Sequence, residues 1–154
     1  MAFALYWGQN GEERKRKTMM RDNEKILIDI FTSLDTEYPS LFIIVEGKRD
    51  ERVLRDLGVK SKIIKTQSGR QRSVLVDGIV KFVEKQGQVL ILTDYDDEGI
   101  ELQKYIENEL ELHKIKILRR LRKKIRKAMG NWRCIEEMVA LFKRKDSPEP
   151  RRIS

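Results

Sequence analysis

The chain has one cysteine, one histidine and three prolines in 154 residues, and each scarcity removes a class of protein. A single cysteine, Cys134, excludes an internal disulfide framework and any cysteine-rich zinc site. The lone His113 excludes histidine-based metal centres and reads as an exposed or half-packed residue at the entrance to a strand. No apolar run approaches the roughly 20 residues that a membrane-crossing helix needs. The opening "MAFALYWG" is apolar but lacks the basic start and cleavage pattern of a secretory signal. These absences predict a cytoplasmic protein with no membrane partner. Glycine-rich phosphate loops are missing as well: no GxxxxGK[ST] occurs, and no GxGxxG follows a strand.

What is present is charge, unevenly placed. The net charge is +8, yet residues 113–154 carry 15 Lys/Arg against 4 Asp/Glu, leaving 18 basic and 21 acidic groups in residues 1–112. A near-neutral body with a strongly basic end suits a polyanion; the alternative is a solvated helix face. Within "ILRRLRKKIRKAM", helical spacing puts Leu118, Leu121 and Ile125 on one side and Arg119, Arg122, Lys123, Arg126 and Lys127 elsewhere. Such cations suit backbone phosphates and carry no base-reading information. Trp132 can stack on an unpaired base, against the more ordinary role of a core residue.

Hydrophobic periodicity sets the fold class. Residues 1–21 read as a flexible leader, 22–146 as a single domain and 147–154 as a disordered tail. A helix opens the domain, with Leu27, Ile30, Phe31 and Leu34 at helical spacing and Pro39 after its end. "LFIIVEG" (41–47) is a continuous apolar run, the mark of a strand buried on both faces of a parallel sheet. A helix bearing Val53, Leu54 and Leu57 follows, then a strand "KIIKT" (62–66), the loop "QSGRQR" and a helix that Ser73 can cap. "QVLILTD" (88–94) is the third strand, residues 97–111 the next helix and "KIKIL" (114–118) the fourth strand. Two helices close the chain, the second carrying Ile135, Met138, Val139 and Phe142. Strands alternating with helices predict an α/β, Rossmann-like fold: about four mostly parallel strands with helices on both faces.

On such a sheet, ligands bind outside the carboxyl ends of the strands. Glu46 ends the first strand and Asp94 the third, with Asp96 two residues on. If those strands are neighbours, the carboxylates converge into an all-oxygen site for Mg²⁺ or Mn²⁺. Helix capping is the competing explanation for Asp96, Asp97 and Glu98, since acids favour a helix N-terminus. It accounts poorly for Asp94 and not at all for Glu46.

"FIIVEGKRD" followed about fifty residues later by "VLILTDYDDEG" resembles the Toprim domain of topoisomerases, bacterial-type primases, certain nucleases and small stand-alone proteins. Glu46-Gly47 and Asp94-Tyr95-Asp96 resemble its two motifs in order and context, and Glu98-Gly99 extends the second. Haloacid-dehalogenase-type phosphatases also use Asp-x-Asp after a strand, but on the first strand rather than the third. The Toprim resemblance spans residues 40–120, and it implies roles by position. Glu46 becomes the general acid/base or a metal ligand, Asp94 and Asp96 hold Mg²⁺, and Asp50 and Glu98 are additional acids. The chain has no room for a topoisomerase gate or a primase core, so it resembles the stand-alone class, such as the maturase that trims precursor ribosomal RNA. Lys48, Arg49, Arg70 and Arg72 give the acids a basic surround for RNA or DNA phosphates. The expectation is a Mg²⁺-dependent protein that cleaves or transfers phosphodiester bonds. Its alternative is a non-catalytic nucleic-acid-binding or assembly protein that keeps the metal site.

Overall fold

The computed structural model describes residues 22–83 and 87–138. The first helix, α1, covers residues 22–37 and stops before Pro39, whose ring disfavours helical backbone at the residue before it. Strand β1 (Leu41–Val45) follows, then helix α2 (Lys48–Asp56) and strand β2 (Lys62–Lys65). Helix α3 (Arg72–Val83), strand β3 (Gln88–Ile91) and helix α4 (Asp97–Leu112) come next. Strand β4 (Lys116–Ile117), helix α5 (Arg119–Met129) and a 3₁₀ turn (Ile135–Met138) complete the described residues.

The four strands form one parallel sheet in the order β2-β1-β3-β4. Ile43 pairs with Ile63 on one side and Leu90 on the other, so β1 is hydrogen-bonded along both edges. Its side chains alternate between two cores. Leu41, Ile43 and Val45 pack with Leu90 and Leu92 against α1, α2 and α5, while Ile44 joins Val89, Ile91, Ile79 and Ile106 against α3 and α4. Ile43, Ile44, Val45 and Leu90 are fully buried, each contributing about 1.5–3 kcal/mol of hydrophobic stabilisation. The expected α/β sandwich is the observed one.

The differences are local. The fourth strand shrinks from 114–118 to Lys116–Ile117, because Lys114 takes a left-handed conformation (φ 56°) to leave α4 and cannot extend a strand. Ser73 does not cap α3: the helix already begins at Arg72. His113 is the exposed residue that closes α4. The leader at 1–21, the tail at 147–154 and the closing-helix positions Val139 and Phe142 lie outside the described residues.

Candidate active site

The strand order makes the chain leave β1 and β3 in opposite directions, and a crevice opens beyond their carboxyl ends. Glu46 leaves β1 directly into it. Asp94 follows β3, and its backbone N–H donates to Glu46 Oε2 at 2.8 Å, joining acids 48 residues apart. Asp50, in the first turn of α2, is 5% exposed. Its carboxylate accepts the N–H of Gly47 (3.1 Å) and that of Glu136 (2.8 Å). The N–H of Tyr95 in turn donates to the Arg133 carbonyl at 2.6 Å. Residues 133–136 therefore wall a cleft of about 500 Å³ whose lining includes Glu46, Asp50, Gln67, Asp94, Cys134 and Glu136.

Gly99 lets α4 start so close to this edge. A Cβ there would lie 2.0 Å from the Asp94 carbonyl oxygen, so only a hydrogen fits. The buried Thr93 hydroxyl donates to the Gly99 carbonyl at 2.9 Å and fastens the same corner.

The acids repel one another. Burial, followed by the charges of Glu46, Asp50, Asp96 and Glu136, pushes the Asp94 carboxyl up to about 7. Glu46 is raised by burial, against the Asp94 N–H, with Asp96, Asp50 and Glu98 adding. Burial raises Asp50 against its backbone donors. Among the described residues no Lys or Arg forms an ion pair with Glu46, Asp50, Asp94 or Asp96. Hard oxygen donors with unrelieved negative charge are the donor set that Mg²⁺ or Mn²⁺ takes, so the residues present fit such an ion. The Cys134 thiol, pushed up to about 11 by burial and the nearby acids, stays protonated.

Not every expected ligand converges. Asp96 is the N-cap of α4, its Oδ1 accepting the Gly99 N–H at 2.8 Å, and it is absent from the cleft lining. Asp97 and Glu98 are exposed first-turn acids, favourable at a helix N-terminus. The described residues whose ligand atoms lie within 4.8 Å of one another are Asp50, Cys134 and Glu136, a set that does not include Glu46, Asp94 or Asp96. Cys134 and Glu136 were not among the expected site residues. Their only sequence signal is the acidic pair Glu136-Glu137 interrupting a basic stretch.

The expected phosphate-binding residues divide sharply. Lys48, Arg49, Arg70 and Lys123 reach solvent, and Arg49 forms a solvent-facing pair with Glu136 at 3.1 Å. Arg72 pairs with Glu101 (3.6 Å) and lies over the Tyr105 ring. Arg119 bridges Glu107 and Glu111. Arg126 donates to the Gly130 and Trp132 carbonyls, both at 2.9 Å. Arg122 corrects the sequence reading. It is 5% exposed and donates to the carbonyls of Ile91 (2.7 Å) and Thr93 (3.2 Å) at the end of β3. Its guanidinium lies 4.3 Å from the Tyr95 ring centre. A side chain so enclosed is a structural cation, fastening α5 to the strand that delivers Asp94. Trp132 packs against the core, its ordinary role.

Comparison with known proteins bears on relatedness and fold. No family model matches the chain. It is 35% identical over 101 residues to a UPF0292 protein of Thermococcus onnurineus, covering 65% of this chain and 72% of that one. A UPF0292 protein of Pyrococcus abyssi is 35% identical over 127 residues, 82% of this chain and 91% of its own. One from Thermococcus gammatolerans is 31% identical over 125 residues, 80% and 89% of the two chains. A solved structure from Aquifex aeolicus superposes with a TM-score of 0.56 at 22% identity, over 76% of this chain and 95% of that one. That likeness is one of fold.

Proposed function

The chain belongs to the UPF0292 family, and on that premise we propose that it is a Mg²⁺-dependent Toprim-type protein acting on the phosphodiester bonds of RNA or DNA in the cytoplasm. One observation carries this reading: Glu46 and Asp94, from the two motifs, are tied together at the switch point of a parallel sheet by a 2.8 Å bond. No helix of the described residues is long and apolar enough to cross a membrane.

Asp94 would hold the ion, with Asp96 two residues on and Glu46 beside it as the general acid/base; when bound, the ion neutralises phosphate charge and orients the reacting oxygens. The chain's own residues do the rest. Glu46 keeps one carboxylate oxygen on the Asp94 N–H and has the other for a proton. Its raised affinity for that proton suits a general acid/base. Lys48, on the same turn and lining the cleft, is placed to meet a phosphate oxygen. A second reading, metal-dependent nucleic-acid binding without turnover, is favoured by one observation: Asp96 is committed to capping α4.

Two measurements decide between them. Mg²⁺ or Mn²⁺ should raise the melting temperature, and Asp94→Asn/Asp96→Asn should abolish that rise. Cleavage of structured RNAs and DNAs should require the ion and vanish in the same variant. A metal-induced rise without cleavage of any substrate selects the non-catalytic reading. No rise at all overturns both.

A further inference from the structure

The acids are one end of a longer feature. Helices α4 and α5 face each other across a groove of about 550 Å³. Five cations (Arg119, Arg122, Lys123, Arg126 and Lys127) and the carboxylate of Glu107 are the charged groups of its wall. Its lining also includes Tyr95, the residue between Asp94 and Asp96. A chain lying in the groove is thus delivered to the edge where Glu46 and Asp94 meet.

We propose that this groove binds a single strand of nucleic acid and leads it to the acidic cleft, deepening the functional reading above and resting on it. Lys123 and Lys127 line the groove and have no ion-pair or hydrogen-bond partner among the described residues. They stand four residues apart on α5, about 6 Å along its axis, a spacing comparable to that of successive phosphates on an extended strand. Behind them the buried Arg122 gives Nη1 to two carbonyls, and among the described residues its Nη2 has no hydrogen-bond partner, with the Glu107 carboxylate across the groove offsetting part of its charge. Ile100 adds apolar surface to the lining, beside the Tyr95 ring over which the Arg122 and Arg126 guanidinium groups lie, and an unpaired base can rest against this floor. A cationic groove with apolar floor is the design of single-strand binders. A duplex, its bases stacked inside, would use the cations and leave that floor unused.

The flank of α5 turned toward α1 supplies a charge-matched control. Arg120 and Lys124 face α1, beside Asp29 and Glu37, away from the groove. Binding of labelled oligouridylate and oligothymidylate is measured by anisotropy in EDTA, so that no chemistry intervenes, with an RNA hairpin stem and polyglutamate as competitors. Lys123→Gln/Lys127→Gln should weaken strand binding about 10-fold and flatten the slope of log affinity against log salt by about 0.7 for each phosphate no longer neutralised. Arg120→Gln/Lys124→Gln should leave affinity near wild type. Equal losses in the two pairs would reduce the groove to net charge and overturn the proposal. So would a wild-type protein that prefers the stem, or polyglutamate competing as well as the oligonucleotides. Strand binding without Mg²⁺-dependent cleavage would sink the chemistry and leave the groove standing, whereas cleavage with an unchanged KM in Lys123→Gln/Lys127→Gln would do the reverse.

Discussion

The acidic cleft and the basic groove lie on either side of one residue, Tyr95, and are built by opposite means. Main-chain donors fix the cleft: the N–H groups of Gly47, Asp94, Gly99 and Glu136 each hold a carboxylate in place. Glu46, Asp50 and Asp94 are partly or wholly enclosed and their proton affinities are raised. The groove's cations Lys123 and Lys127 are long side chains that, among the described residues, only their stems hold. Reaction geometry tolerates little displacement, so the first arrangement suits chemistry. Phosphates vary in position along a flexible strand, so the second suits affinity. Charge of either sign can be displayed rigidly or loosely, and on the proposed reading the sign follows the task.

The sharpest way to break this division is to change the cleft and look for an effect in the groove. Glu46→Gln keeps the side chain's size and should lower turnover by about 10²–10⁴-fold while strand affinity holds; a loss of affinity instead would merge the two regions into one binding surface. Gly99→Ala tests whether the cleft depends on close backbone packing. The new methyl would push α4 off the Asp94 carbonyl, with an expected loss of about 3 kcal/mol of stability and of the metal-induced rise in melting temperature. Survival of that rise would show that the ion does not need the packed corner. Arg122→Met probes the shared wall. It strands the Ile91 and Thr93 carbonyls, at a cost of about 2 kcal/mol, and denaturant unfolding should register it; an unchanged midpoint would return Arg122 to the binding surface.

The smallest effect is on pH. The folded Asp94 takes up a proton at about 7, against an ordinary value of 3.8. Between those values the folded state holds a proton that the unfolded chain has released. Without metal, stability should therefore rise as pH falls through about 7, and fall as pH rises. Asp94→Asn should flatten that dependence, as should saturating Mg²⁺, which favours the charged form. A wild-type profile that matches Asp94→Asn throughout would remove the carboxylate repulsion from the account.

Much of this was readable from residue order. The run from Leu41 to Val45 is apolar without alternation because β1 is covered on both faces, and that burial leaves a strong signal in composition. Glu46 and Asp94 were legible for the same reason: each is a charge terminating such a run. Asp96 was ambiguous, because an acid two residues past a strand serves equally well as ligand or cap, and the Gly99 N–H on its Oδ1 shows the cap. Arg122 misled because helical spacing cannot say which face a second helix will cover. Its neighbours Lys123 and Arg126 look the same in sequence, and Arg126 also packs on the Tyr95 ring, yet of the three Arg122 alone reaches the carbonyls at the end of β3. Glu136 and Cys134 were invisible, since their place depends on the turn after α5, where Gly130 has φ 62°, and on a bond spanning 86 residues to Asp50.

That long-range bond sets a schedule for assembly. Synthesis has completed all four strands by residue 117, and domains fold from the N-terminus as the chain emerges. The wall of the cleft comes later, because the second bond to Asp50 comes from Glu136 and the Tyr95 N–H needs the Arg133 carbonyl. A nascent chain stopped between those points has all four strands but lacks the residues that wall the crevice. The order of translation thus keeps the site incomplete until residue 136 has cleared the ribosome.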